Sequence, residues 1–177
     1  MTPEILRTET NTALSELTEL AKRVPEELFK APADDGGWTL GQIYDHLIRS
    51  CVDLHLPNAE ACLRGEGGSG RKRFPVALLF WMGRFPRTRM NPSRKAKEAV
   101  PDGWEPRSLT RMEALEGLEA VAQRMDTICS ALPHSNPEIK VCYLPMGFLN
   151  ASEWAQMAPM HLRHHLEVQI ARRKYLP

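Results

Sequence analysis

No apolar run in the chain is long enough to cross a bilayer. The longest, Pro75–Met82, spans eight residues, against about 20 for a spanning helix. The opening residues, MTPEILRTET, lack the basic start and apolar core of a secretory signal. Cys51, Cys62, Cys129 and Cys142 are scattered, with no C-x-x-C pair and no ligand spacing. These absences argue against a membrane span and a disulfide scaffold, and lead us to expect a cytoplasmic protein whose cysteines are small core residues. Charge of one sign is not in excess either. Lys and Arg number 23 against 22 Asp and Glu, a net +1, so no nucleic-acid partner is expected. Internal repeats are absent, and no segment alternates strongly enough to read as a strand.

The 177 residues, 42% hydrophobic and 25% charged, suit a single soluble domain spanning 1–177. Four segments carry helical periodicity. The first runs from Pro3 to about Phe29, with Leu6, Ala13, Leu14, Leu17, Ala21, Val24 and Leu28 on one face. The second starts at Thr39, whose spacing to Gln42 is that of a capping box, and runs to Leu63 with a kink or division at Pro57. The third starts at a second box, Thr110 and Glu113. The fourth is capped by Asn150 with Glu153 and continues to about Tyr175. Between the second and third, Gly65–Gly70 reads as a flexible loop. The expected fold is all-α, a four-helix bundle with an extended, partly helical connection between helices 2 and 3.

His161 and His165 lie four residues apart on the last helix, a spacing that lets both imidazoles reach one ion. At 100° per residue, Trp154 falls about 20° from His161, Val168 about 20° to the other side, and His165 about 40° away, so the pair sits inside the apolar stripe. Imidazoles facing a core need partners, and a shared metal is one. A third ligand must come from a facing helix. His46 is the best candidate, although it falls about 120° from the centre of the helix 2 stripe. His55, near Pro57, and His134, in a Pro/Ser/Asn loop, are not well placed. Periodicity by itself leaves metal ligation and ordinary buried histidines equally open.

Two motifs go further. Trp38-Thr39-Leu40-Gly41-Gln42-Ile43-Tyr44-Asp45-His46-Leu47 resembles a W-[ST]-x-x-[EQ]-x-x-x-H-[LI] opening of helix 2. His161-Leu162-Arg163-His164-His165-Leu166-Glu167-Val168-Gln169-Ile170 resembles an H-x-x-[HW]-H-x-x-Q-[IF] helix. In this order they resemble the DinB-like superfamily, the DinB/YfiT-type metalloenzymes, and the resemblance covers nearly the whole chain. It implies a DinB-like four-helix bundle with His46, His161 and His165 as the ligands of a divalent ion. Zinc or nickel is expected, with manganese or iron as alternatives, because imidazole suits several of these ions. Gln42, His164 and Gln169 are candidates for supporting the ligands or orienting substrate. No residue is assigned as catalytic, and Asp45 and Glu167 are merely the nearest carboxylates in sequence.

The connection from about Arg71 to Pro106 is longer than in the simplest members and resembles an uncharacterised subgroup. From Arg71 to Lys97 it holds nine Lys or Arg and no Asp or Glu, around Phe74, Leu78, Phe80, Trp81 and Phe85. It reads as a solvated loop packed on the bundle or on a second subunit, as an electropositive lid for an anionic substrate, or as a surface-docking segment. The functional expectation is a metal-dependent enzyme acting on a small molecule, a thiol or an anionic compound, by S-transfer or by metal-assisted hydrolysis. The alternative is a non-catalytic bundle serving as a dimeric or stress-linked binding module. The resemblance, together with the apolar insertion, also suggests a homodimer.

Overall fold

The computed structural model describes residues 1–32, 37–74, 76–86 and 104–171. Helix α1 (Pro3–Arg23) starts at Thr2, whose hydroxyl accepts the Ile5 amide at 3.3 Å, with Pro3 in the first turn. It ends sooner than its periodicity suggests. Val24 turns extended ahead of Pro25, as a residue before proline prefers, and Glu26–Lys30 form a separate short helix, α2. Helix α3 (Leu40–Arg49) opens with the Thr39/Gln42 capping box. Helix α6 (Arg111–Ala131) opens with Thr110/Glu113, and α7 (Ala151–His165) with Asn150/Glu153. All three boxes are closed by both of their hydrogen bonds.

Between α3 and α4 (Leu56–Leu63) the helix widens into one π turn, Ser50–His55. The Leu56 amide bonds to the Cys51 carbonyl five residues back. The next amide in that ladder would belong to Pro57, which has none, so the Val52 carbonyl is left open. Arg124 of α6 fills it, donating from Nη1 at 2.8 Å while its Nε and Nη2 grip Glu60 of α4 at 2.5 and 2.7 Å. The Pro57 interruption seen in the sequence is therefore a change of helical pitch. That pitch matters for the histidines. Nine residues of unbroken α-helix would leave His55 about 180° from His46, but one extra residue in the turn cuts the offset to about 80°.

Helix α1 packs on α6 and α7, α3 on α6, and α4 on α7. Leu6, Leu17, Phe29, Ile43, Tyr44, Leu47, Leu118, Met125, Ile128 and Trp154 form the fully buried centre. Burying Tyr44 is tolerable because its hydroxyl donates to the Leu17 carbonyl at 2.6 Å. Cys51, Cys62 and Cys129 belong to this core, whereas Cys142 is exposed.

Two expectations are corrected. The connection entering α7 holds a two-stranded antiparallel hairpin, β1 (Lys140–Tyr143) and β2 (Gly147–Asn150), paired Lys140 to Asn150 through Tyr143 to Gly147. The glycine-rich Gly65–Gly70 segment is not a loose linker, because it is stitched to that hairpin. Gly68 and Lys140 exchange backbone bonds of 2.9 and 3.0 Å, and the Arg73 amide donates to the Met146 carbonyl at 2.9 Å. A Cβ on Gly70 would lie 2.2 Å from the Phe148 ring, so glycine is required here by close approach. Helix α5 (Val76–Met82) supplies the expected helical part of the insertion. The basic residues Arg87, Arg89, Arg94, Lys95 and Lys97, and the end of the last helix toward Tyr175, lie outside the described residues.

Replacing Arg124 with Met should lower stability by about 1.5–3 kcal/mol in urea unfolding, because the Val52 carbonyl and the Glu60 carboxylate both lose their donor. Gly41→Ala should also destabilise, by about 1–3 kcal/mol. Its Cβ would sit 2.4 Å from the Leu109 carbonyl oxygen, which outweighs the gain of about 1 kcal/mol in helix propensity.

Candidate metal centre

Three imidazoles meet where α3 faces α7. His46 leaves α3 from the edge of its apolar face, which is the side turned to α7, so its offset from the stripe's centre is what aims it there. His161 and His165 come from successive turns of α7. The ligand nitrogens of the three lie within 4.8 Å of one another, with His165 buried and the other two half-buried. The three Nε2 atoms point inward. His46 Nε2 is 3.2 Å from His161 Nε2, which is 3.0 Å from His165 Nε2.

The outward-facing nitrogens are held from behind. His165 Nδ1 lies 2.6 Å from Gln169 Oε1. A carboxamide oxygen only accepts, so Nδ1 carries the proton and Nε2 is a bare lone pair. His161 Nδ1 lies 3.3 Å from Nε2 of His55. Sequence reasoning set His55 aside. It is 2% exposed, and the π turn has brought it round to the site. The only sequence signal for it was Pro57, read together with the helical phase. His46 is backed by the Trp38 ring, 5.0 Å between centroids.

Crowding of this kind suits a cation. Two nitrogens each about 2.0–2.1 Å from one zinc ion are separated by about 2.9–3.4 Å at bond angles from 90° to 109°. Both Nε2 separations fall in that interval. Lone pairs brought this close repel unless something positive lies between them, and burial denies them protons. Burial pushes His46 down to about 4 and His55 and His165 down to about 3, and it holds His161 well below its ordinary value, with the neighbouring imidazoles adding to the effect. Neutral imidazole is the ligating form.

The other sequence candidates sit differently. Gln42 spends its carboxamide on the cap, accepting the Thr39 amide at 2.9 Å, and on the Pro106 carbonyl at 3.2 Å. His164 turns to the insertion, its ring 6.1 Å from that of Phe85, and its Nδ1 is buried without a partner. His134 lies in the turn after α6 and is not part of the cluster. Asp45 is 2% exposed, accepts the Arg107 amide at 3.0 Å and faces the guanidinium groups of Arg49 and Arg107. It ties the segment ahead of α6 to α3. No carboxylate joins the histidine cluster among the described residues.

The pH response follows from the depressed values. In the metal-free fold these histidines stay neutral below pH 6.5, where the unfolded chain binds protons, so the unfolded state gains on acidification. Stability should fall as pH drops from about 6.5 toward 4, by about 1.4 kcal/mol per pH unit for each histidine held neutral. Chemical denaturation of chelator-treated protein across that range measures the slope, and a flat profile would refute the burial argument. Among known proteins, no curated protein and no solved structure matches the chain. The family model of the DinB superfamily does match, over residues 9–168, a span that holds His46, His161 and His165; the chain belongs to the DinB superfamily.

Proposed function

We propose that the protein is a divalent-metal-dependent enzyme that binds one ion through His46, His161 and His165 and acts on a small thiol or anionic molecule. The observation that carries this reading is the inward convergence of the three Nε2 atoms at 3.0 and 3.2 Å. Zinc or nickel suits an all-imidazole set best, and manganese or iron remain alternatives. Held by these three neutral ligands, a divalent ion would keep its full charge and would lower the pKa of a thiol or water bound to it.

Among reactions, transfer of a low-molecular-weight thiol fits better than hydrolysis. A free thiol ionises near pH 8.5 and needs little help, whereas water starts near 15.7 and usually needs a base as well. The nearest buried carboxylate, Asp45, is already engaged by Arg107 and Arg49. The chain's own residues then act by position. Gln169 and His55 orient two ligands from behind, and Phe85 draws the basic insertion down beside His164.

A second reading, a non-catalytic bundle that pairs or serves as a stress-linked binding module, draws on one feature. Phe74 is 95% exposed, Trp81 83% and Leu78 50%, an uncovered apolar face on and beside α5. A homodimer through that face would bury it, and light scattering on the wild-type chain and a Phe74→Ser/Trp81→Ser variant tests the pairing.

Untagged protein reconstituted with zinc, nickel or manganese should take up one ion per chain. At a free concentration of 100 times its Kd, the ion should raise the melting temperature by about 5–10 °C, and His161→Ala should abolish the shift. Metal-dependent conjugation of a thiol to an electrophile separates the enzyme from the binding module. Failure to bind any of the three metals stoichiometrically would sink the proposal.

A further inference from the structure

Resting on the metal reading above, we propose that His55 is a positioning residue, whose Nε2 accepts the Nδ1 proton of His161 and so fixes the tautomer that turns His161 Nε2 inward as a lone pair. His55 Nε2 faces His161 Nδ1 at 3.3 Å. The pair shares one proton, so one ring donates and the other accepts. If His55 donated, His161 Nδ1 would be its lone-pair nitrogen and the proton would sit on Nε2, facing the bare Nε2 of His165 at 3.0 Å and blocking ligation. Ligation requires the opposite arrangement.

That arrangement leaves the proton of His55 on Nδ1, and His55 Nδ1 is a buried side-chain nitrogen with no hydrogen-bond partner. His55 is also 2% exposed and lies against Trp154, with ring centroids 6.4 Å apart. A buried imidazole with one unsatisfied nitrogen is a poor choice for packing, since an apolar side chain would fill the space without stranding a polar atom. The residue is explained by what its other nitrogen does. Helix geometry agrees, because only the π turn ahead of Pro57 brings position 55 round toward His161. Metal-bound histidines commonly give their second nitrogen to an acceptor, and here that acceptor is a neutral imidazole, which adds no negative charge behind the ion.

The test compares zinc affinity by competition with a chromophoric chelator in wild type, His55→Leu and His55→Gln, alongside the melting temperature of each metal-free chain. His55→Leu should weaken zinc binding about 10–100-fold while leaving the metal-free melting temperature unchanged or raised. A packing residue would not give that opposed pattern. His55→Gln, which restores an acceptor oxygen, should recover most of the affinity. Imidazole 15N spectra of the zinc-loaded wild type should show the proton on Nδ1 of His161 and on Nδ1 of His55, an assignment that does not depend on any variant folding. A proton on Nε2 of His55 overturns the proposal, as does a His55→Leu chain that melts lower without metal yet keeps wild-type affinity. If the wild type binds none of zinc, nickel and manganese, the metal reading falls and takes this inference with it. If the wild type binds and His55→Leu binds equally well, this inference falls alone.

Discussion

A single missing amide governs the geometry of the site. The helix widens for one turn ahead of Pro57, and because Pro57 cannot donate, the Val52 carbonyl that its amide would have served is left open. Such a turn is tolerated only if the open carbonyl finds a donor, and Arg124 supplies it from the neighbouring helix while holding Glu60 on the far side of the break. The arginine thus braces α6 against both halves of an interrupted helix. Without the wide turn, His55 would lie on the side of the helix opposite His46. With it, α3 and its continuation bring two histidines toward α7, His46 at the cluster and His55 behind His161.

The electrostatics of the cluster follow from what surrounds it. Its rings are desolvated enough to refuse protons, and the partners behind them, a carboxamide and an imidazole, are neutral. The nearby buried carboxylate is spoken for by arginines and a backbone amide. The cluster therefore offers neutral lone pairs, and the buried carboxylate near it, Asp45, is balanced by Arg49 and Arg107. A divalent ion held in such a setting would keep its attraction for an anionic partner, which is why the proposed function favours a thiolate or another anion over a neutral substrate.

Much of this was legible in the sequence, and the exceptions have common causes. His161 and His165 announced themselves because the interval between them is regular α-helix, bounded by Pro159 and by a π turn at Leu166–Ile170, and the apolar stripe runs through both. The three capping boxes were legible because a cap is local, needing only residues three apart. His46 was legible through its motif, although its phase pointed to the edge of a stripe; an edge is where one helix meets a second neighbour. His55 was hidden because phase arithmetic assumes a constant pitch, and the pitch changes within the interval being counted. The hairpin and its glycine-rich partner were hidden for another reason. Glycines that allow backbones to touch look the same in a sequence as glycines that allow a loop to move.

His46 and His161 are separated by 115 positions in the chain, and the elements between them include an entire helix of the bundle and the insertion. A contact of such long range carries the entropic cost of closing a large loop. Forming α7 is enough to bring His161 and His165 together, but His46 joins them only when α3 docks on α7. Only a chain whose two distant halves have docked presents all three nitrogens together, so an ion held by all three would report a finished fold.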